Sequence, residues 1–373
     1  MRVCVGIVPD FWYDIADSVG LMLQNEWLYW QDHGWDDQIR TEYSNWVWSD
    51  GSHPSIIIWD AINENSNEYV GNQLIPELKK LDPTRIWDAG YMTAKEMTVD
   101  EMDEPHPYMI PGWMPDLKEH LNQNPYPLGD LHWWPARWHT NFESGAAQLV
   151  NEYGWIWLWR DGSPSHLTKG LYPYFLGENA TAADRWEMQA YWLQCQTEWL
   201  RTRRDLAGIL AFCYLSDNLG FTGDWWVGNV AELNPSPTLE WFYHSFASSG
   251  VYIDLRDQRY IKTEEPYQPG SDLSFNLVGV TDRQEPVHGK VRVRLVDSEG
   301  HDVWGQETAV SIPAHQNQYT PVSIPLPKRP GGYAVTSEFR EADNTVPVVS
   351  RRYIRIGRVE EYRFYNVTTK SLD

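Results

Sequence analysis

Two glutamates stand at the ends of apolar runs, where a fold can deliver them to a site. Ser55-Ile-Ile-Ile-Trp59 leads into Asp60-Ala-Ile-Asn63-Glu64, and Ala147-Gln-Leu-Val150 leads into Asn151-Glu152. A continuous Ile-rich run suits a strand buried on both faces, as in a parallel sheet. In a β/α barrel the carboxyl ends of such strands carry the functional side chains. Two carboxylates at two strand ends are what glycoside hydrolysis needs, one ionised and one able to give a proton. Either segment alone also reads as a strand followed by a solvated polar loop. The pair together makes the chemical reading the stronger one.

The elements that must position these residues resemble glycoside hydrolase family two, the β-galactosidase, β-glucuronidase and β-mannosidase family. His53-Pro-Ser55 through Asn63-Glu64 resembles the family's acid/base strand, and Asn151-Glu-Tyr-Gly154 its nucleophile strand. Leu81-Asp-Pro-Thr-Arg85 resembles the segment between them, and Asp10 to Trp30 the helix and strand that come before. The motifs occur in the family's order across residues 1–248. The resemblance implies a (β/α)8 TIM-type barrel over 1–248. Strands are expected near residues 2, 21, 55, 85, 103, 147 and 208, one fewer than a complete barrel has. Met1 falls where the family's second barrel strand would be, so the barrel is expected to lack its first strand and the chain to be N-terminally incomplete.

Around these strands the pattern predicts a helix from Pro9 to Gly20, with Phe11, Ile15, Ala16 and Val19 on its apolar face. Residues 32–52 read as loop and helix, and Ile75 to Lys80 as the end of a helix. Ala182 to Arg204 reads as a helix whose buried face holds Met188, Tyr191, Trp192, Cys195 and Trp199. Leu239 to Phe246 reads as a closing helix. The Pro-rich stretch 109–145 is too long for a simple connection and is expected to be an active-site insertion. After residue 248 the period becomes two: Leu273, Phe275, Leu277; Val291, Val293, Leu295; Tyr333, Val335 and, beyond Ser337, Phe339. That predicts an immunoglobulin-like β-sandwich over 249–373.

Composition narrows the partners. A net charge of −22 argues against nucleic acid and against an anionic membrane surface. The 22 Trp and 21 Tyr suit stacking on sugar rings, although a large barrel buries most of its aromatics in its core. Three cysteines, Cys4, Cys195 and Cys213, lack the spacing of a zinc site or a disulfide framework. No signal-peptide core and no run long enough for a membrane span occur in these residues.

By resemblance, Glu152 is the nucleophile and Glu64 the general acid, then the base. The pKa of Glu64 is expected to rise when substrate binds and to fall once Glu152 is glycosylated. Asn63 is expected on the sugar 2-hydroxyl, and His106 and Tyr108 at the end of the sixth strand, the tyrosine on the nucleophile. Glu26 is expected either on substrate or in hydrogen bonds at the barrel mouth. The family's Trp near the end of the last strand is absent from Phe212-Cys-Tyr-Leu-Ser-Asp217. Tyr214, Trp225 or Trp226 is expected to take its place. No Asn-x-Lys occurs, which counts against a uronic acid and leaves a neutral β-sugar such as mannose or galactose. The implied partner is a carbohydrate, with no cofactor and no metal. The implied function is that of a retaining β-glycosidase. The alternative is a catalytically inactive fragment or a carbohydrate-binding protein on the same barrel.

Overall fold

The computed structural model of the chain describes residues 1–30, 34–65, 67–90, 102–108, 146–261, 264–342 and 346–368. The expected insertion at 109–145 lies outside the described residues.

Among the described residues, seven short strands run parallel. β1 (Arg2–Val3), β2 (Leu23–Glu26), β3 (Ile56–Asp60) and β4 (Ile86–Asp88) form one ladder in chain order. β5 (Met102–Asp103), β6 (Ala147–Val150) and β7 (Gly208–Ile209) form a second. These are the strands of a TIM-type barrel, and they fall within two residues of the expected positions. Helices α1 (Asp10–Val19), α2 (Asp36–Asp50) and α3 (Ile75–Leu81) alternate with the first four strands. On the outer side of the ladder Trp46 meets Trp59 edge-on at 4.6 Å, and Trp59 stacks on Trp87 at 5.8 Å. Such pairs contribute about 0.5–1.5 kcal/mol each beyond the area they bury.

The α1 face is a correction. Of the expected face Ala16 is buried, but Phe11, Ile15 and Val19 are exposed and Tyr13 is buried in their place. The polar partners decide the rotation. Tyr13 donates from its hydroxyl to Asn25 Oδ1 at 3.0 Å. Asp17 accepts from the Ser55 backbone N–H at 2.8 Å and meets His53 at 2.7 Å. Turning the apolar stripe inward would break the buried Tyr13 bond, and leaving a buried polar group unpaired costs about 1–3 kcal/mol.

The contacts divide the chain into two compact units. One unit carries β1–β7 and α1–α3. The other carries α4 (Leu171–Leu176), α5 (Ala182–Thr202), α6 (Pro237–Ser245) and all strands from β8 (Ser249–Asp254) onward. In that second unit β9 (Asp272–Thr281), β10 (Val287–Val296), β11 (Asp302–Ile312), β12 (Gln318–Pro325), β13 (Gly331–Glu341) and β14 (Val348–Ile356) follow β8. They make a four-stranded sheet, β11-β10-β13-β14, and a three-stranded one, β12-β9-β8, both antiparallel. This is the immunoglobulin-like sandwich, and the alternating residues named from its sequence all lie in its core.

Helix α5 differs from expectation: it is buried all round from Met188 to Thr202, not on one face. A capping box of Thr181 and Asp184 starts it. Its buried polar residues find partners on β14. Glu198 accepts from Arg352 and Ser350, each at 2.8 Å. Gln194 accepts from Arg351 at 3.0 Å, and Glu187 pairs with the same guanidinium at 2.7 Å. These bonds hold α5 with the sandwich.

Candidate active site

The site is built inside the first unit, from the residues at the carboxyl ends of its strands. Register puts Glu26, Asp60 and Asp88 side by side on one rung of β2, β3 and β4. Alternation turns all three side chains, and Gln24 one step earlier, to the same face. All are buried. Glu104 follows β5 and Glu152 follows β6, so the enclosed space is rich in carboxyl groups.

One guanidinium answers them. Arg2 is the sole basic residue on the seven described strands, and its side chain is 4% exposed. Its Nη1 donates to Glu152 Oε1 at 2.5 Å and its Nε to Asp60 Oδ2 at 3.2 Å. Its Nη2 reaches Asn63 Oδ1 at 2.8 Å, Glu104 Oε1 at 3.3 Å, and Glu26. Arg suits this position because its fork presents several donors in fixed directions and stays charged.

The second cation is His106. Its Nδ1 lies 3.0 Å from Glu64 Oε1 and 3.6 Å from Glu152 Oε2, and its Nε2 lies 2.9 Å from Glu104 Oε1. Burial alone would lower its pKa. Glu152, Glu104 and Glu64 outweigh burial and raise it to about 9, so the ring is an imidazolium at neutral pH.

The rung of acids resolves itself by sharing protons. Burial, then Glu104 and Glu26, push Asp60 well above the usual carboxyl range, and Asp60 hydrogen-bonds to Glu26. Burial, then Glu104 and Asp60, do the same to Asp88, which hydrogen-bonds to Glu104. Glu26 is raised by burial to about 7 against the pull of Arg2. Glu104 goes the other way: Arg2 and His106 overcome its burial and hold it below the usual range. Gln24 Nε2 donates to Asp60 at 2.9 Å and to Glu104 at 3.1 Å, and Asn151 donates to Glu104 as well. Like charges packed this closely cannot all ionise, and neutral carboxyls become donors to charged ones.

The two glutamates differ in access. The Glu152 side chain is 5% exposed and receives donors from Arg2 and from the Cys4 thiol at 3.7 Å. Burial pushes the Cys4 thiol up, so it remains a donor. The Glu64 side chain is 31% exposed. An oxygen of each glutamate and a nitrogen of His106 lie within 4.8 Å of one another. Burial would raise the Glu64 pKa, but His106 holds it below the ordinary value in the free protein. Glu64 also holds φ +44°, a left-handed conformation that costs about 1–2 kcal/mol in a non-glycine residue. Two bonds bracket the kink: Asn63 N–H to Tyr29 O and Asn65 Nδ2 to Trp30 O, both 2.8 Å. Behind it Gly90 sits at φ +80°, where a Cβ would stand 2.0 Å from the Ile62 carbonyl oxygen.

The structure therefore brings Glu64, Glu152, Asn63, His106 and Glu26 together. Glu26 is closed off from solvent and bonds to the Val5 N–H and Arg2. The other named residues belong to the second unit. Tyr108 is buried there, edge-on to Trp155 at 4.8 Å and Trp157 at 5.8 Å. Trp225 is buried edge-on to Phe242 at 4.7 Å. Trp226 donates to the Tyr214 carbonyl at 3.0 Å, and the Tyr214 side is half exposed. Arg2, Cys4, Gln24, Asp60 and Glu104 were not singled out from sequence. A usable signal existed: β2, β3, β4 and β5 each end in an acid, and so many buried acids demand a cation.

A parallel barrel that ends its strands in paired glutamates, followed by an immunoglobulin-like sandwich, defines the class as a barrel of glycosidase type. Residues 11–121 match the model of the family described as glycosyl hydrolases family 2, TIM barrel domain, and residues 274–323 that of the mannosidase Ig/CBM-like domain. Both matches support a likeness to glycosyl hydrolase family 2 over those residues. A protein of Formosa agariphila named for β-glucuronidase activity is 30% identical over 100 residues, 24% of this chain and 10% of that protein. The β-mannosidase of Capra hircus is 29% identical over 164 residues, 39% of this chain and 18% of that protein. The solved β-D-mannosidase of Dictyoglomus thermophilum superposes with a TM-score of 0.65 at 14% identity, covering 95% of this chain and 46% of that one. The chain thus spans less than half the length of these relatives.

Proposed function

We propose that the chain carries the catalytic residues of a retaining β-glycosidase that removes terminal β-linked sugars by double displacement. Glu152 is the nucleophile. Arg2 and Cys4 donate to it. Glu64 is the acid/base: it is the more open of the two, as a group that must reach the departing oxygen needs to be. The observation that carries the reading is their separation. Oxygens of the two carboxyls stand within 4.8 Å, near the roughly 5–5.5 Å of retaining enzymes and short of the roughly 6.5–9.5 Å that leaves room for an inverting water.

The cycle follows from that geometry. Glu152 attacks the anomeric carbon while Glu64 protonates the departing oxygen. A glycosyl ester forms on Glu152, and Glu64, now ionised, takes a proton from the water that hydrolyses it. Asn63 stands beside Glu64 with its Oδ1 held by Arg2, which leaves its amide N–H groups for the sugar 2-hydroxyl. The relatives carry both mannoside and glucuronide names. The absence of Asn-x-Lys favours a neutral sugar, and the mannosidase-type sandwich match favours mannose within that class. Division into a barrel region at 1–248 and a sandwich at 249–373 is part of the same reading.

Proton NMR of the first-formed sugar tests it. A β-mannoside or β-galactoside should release the β-anomer first. First release of the α-anomer would reject double displacement.

A further inference from the structure

A proton donor must hold a proton when the substrate arrives, yet His106 keeps Glu64 ionised in the free protein. Nδ1 of His106, 3.0 Å from Glu64 Oε1, is placed to hold that proton. The groups facing that ring are Glu64 from the end of β3, Glu104 from its own strand and Glu152 from β6. Arg2 from β1 and Asp88 from β4 stand against Glu104. We propose that His106 stores the proton that Glu64 delivers to the leaving group, and that Glu104 is the positioning carboxylate that keeps this store filled. This inference rests on the roles given to Glu64 and Glu152 above.

The step balances without solvent. The Nδ1–H bond breaks, its electron pair stays on the ring, and the proton crosses to Oε1 of Glu64. An ion pair, Glu64 carboxylate and imidazolium, becomes a neutral pair, carboxylic acid and imidazole. The imidazole that remains is the Nε2–H tautomer, and its N–H still donates to Glu104 at 2.9 Å. Substrate drives the shift by covering the part of Glu64 that water now solvates, because a desolvated ion pair gives way to its neutral form. The carboxylic acid then gives the proton to the glycosidic oxygen as the C–O bond breaks. Glu152 loses its charge in the ester at that stage, which removes one of the three carboxylates that favour the imidazolium. Hydrolysis reverses the sequence: the attacking water gives its proton to Glu64, Glu152 leaves as carboxylate, and the proton returns to Nδ1. The elevated His106 pKa, about 9, agrees with a store that is full at neutral pH.

The first test needs no turnover. The full chain, labelled with nitrogen-15 in its histidines, is titrated from pH 6 to 10, wild type beside Glu104→Gln, with His106→Gln for assignment. His106 should carry protons on both nitrogens at pH 7 and lose one near pH 9. In Glu104→Gln that loss should move down by a pH unit or more. A wild-type His106 that is neutral at pH 7 would overturn the proposal. The second test compares kcat/KM for a dinitrophenyl and an alkyl β-glycoside. His106→Gln should lose about 100-fold or more on the alkyl glycoside, the lower range for a general acid, and under about tenfold on the dinitrophenyl one. Its basic limb should move to lower pH. Equal losses on both substrates would overturn the store. Glu64→Gln separates the two failures. If it lacks the leaving-group dependence, the acid/base assignment itself falls; if it shows the dependence and His106→Gln does not, only the store falls.

Discussion

Replacing Arg2 by Met removes the one guanidinium among the buried acids while keeping most of the side-chain volume. Its partners are Glu26, Asp60, Glu104 and Glu152. Burial and its acidic neighbours push Asp60 up, so Glu104, which Arg2 holds down, loses most. Breaking a buried pair from one side costs about 3–5 kcal/mol, because the remaining charge is left without compensation. At about 2.1 cal/mol/K of unfolding entropy per residue, a chain of 373 residues loses roughly 1.3 °C per kcal/mol, so Tm should fall by about 4–6 °C. The pH dependence carries the mechanism. Arg2 and His106 hold Glu104 below its ordinary pKa. A depressed carboxylate contributes stability that is fully present above the unfolded value, about 4.3, and is lost as pH falls through the folded value. The gap between wild type and Arg2→Met should therefore be widest at neutral pH and narrow below about pH 4.3. Thermal unfolding followed by circular dichroism from pH 3.5 to 8 reads this directly. A gap under about 1 kcal/mol, the size of an exposed pair, or one that widens towards acid, would refute the reasoning.

Further predictions concern separate parts of the chain. Glu64→Ala should lose about 10²–10⁴-fold on alkyl glycosides and far less on dinitrophenyl glycosides. Added azide should restore turnover and yield a β-glycosyl azide, seen by product analysis. Gly90→Ala places a Cβ 2.0 Å from the Ile62 oxygen at φ +80°. The backbone before Asn63 and Glu64 must move, and a displacement near 1 Å costs about 100-fold in kcat/KM. In the second unit, Glu198→Gln leaves Arg352 charged and buried at 1% exposure. Urea unfolding should register a loss of about 3–5 kcal/mol, with activity per folded molecule changed little.

Much of the architecture was legible because its signals are local. An Ile-rich run marked β3 and a short apolar run marked β6, each leading into polar residues, and a period of two marked the sandwich strands at Leu273, Val291 and Tyr333. The carboxylates at 64 and 152 were legible as strand-end acids. Local patterns failed where long-range polar contacts decide. The apolar stripe Phe11, Ile15 and Val19 pointed outward because Tyr13 and Asp17 have partners at Asn25 and Ser55. Helix α5 looked one-sided because Gln194 and Glu198 read as solvent-facing, whereas β14 supplies arginines for them. Arg2 was invisible for the same reason. A single basic residue beside the N-terminus looks solvated, and its value depends on acids that come 24 to 150 residues later and converge only when the strands assemble in register.

The most direct test of the central claim is intact-mass spectrometry of the chain after incubation with 2-deoxy-2-fluoro β-glycosides carrying good leaving groups, followed by peptide mapping. The fluorine slows both steps and the leaving group restores the first, so the glycosyl ester accumulates. The account predicts one sugar per chain, on the peptide containing Asn151-Glu152-Tyr153, with no label in Glu152→Gln. A label on Glu64, or on any other carboxylate, would contradict it.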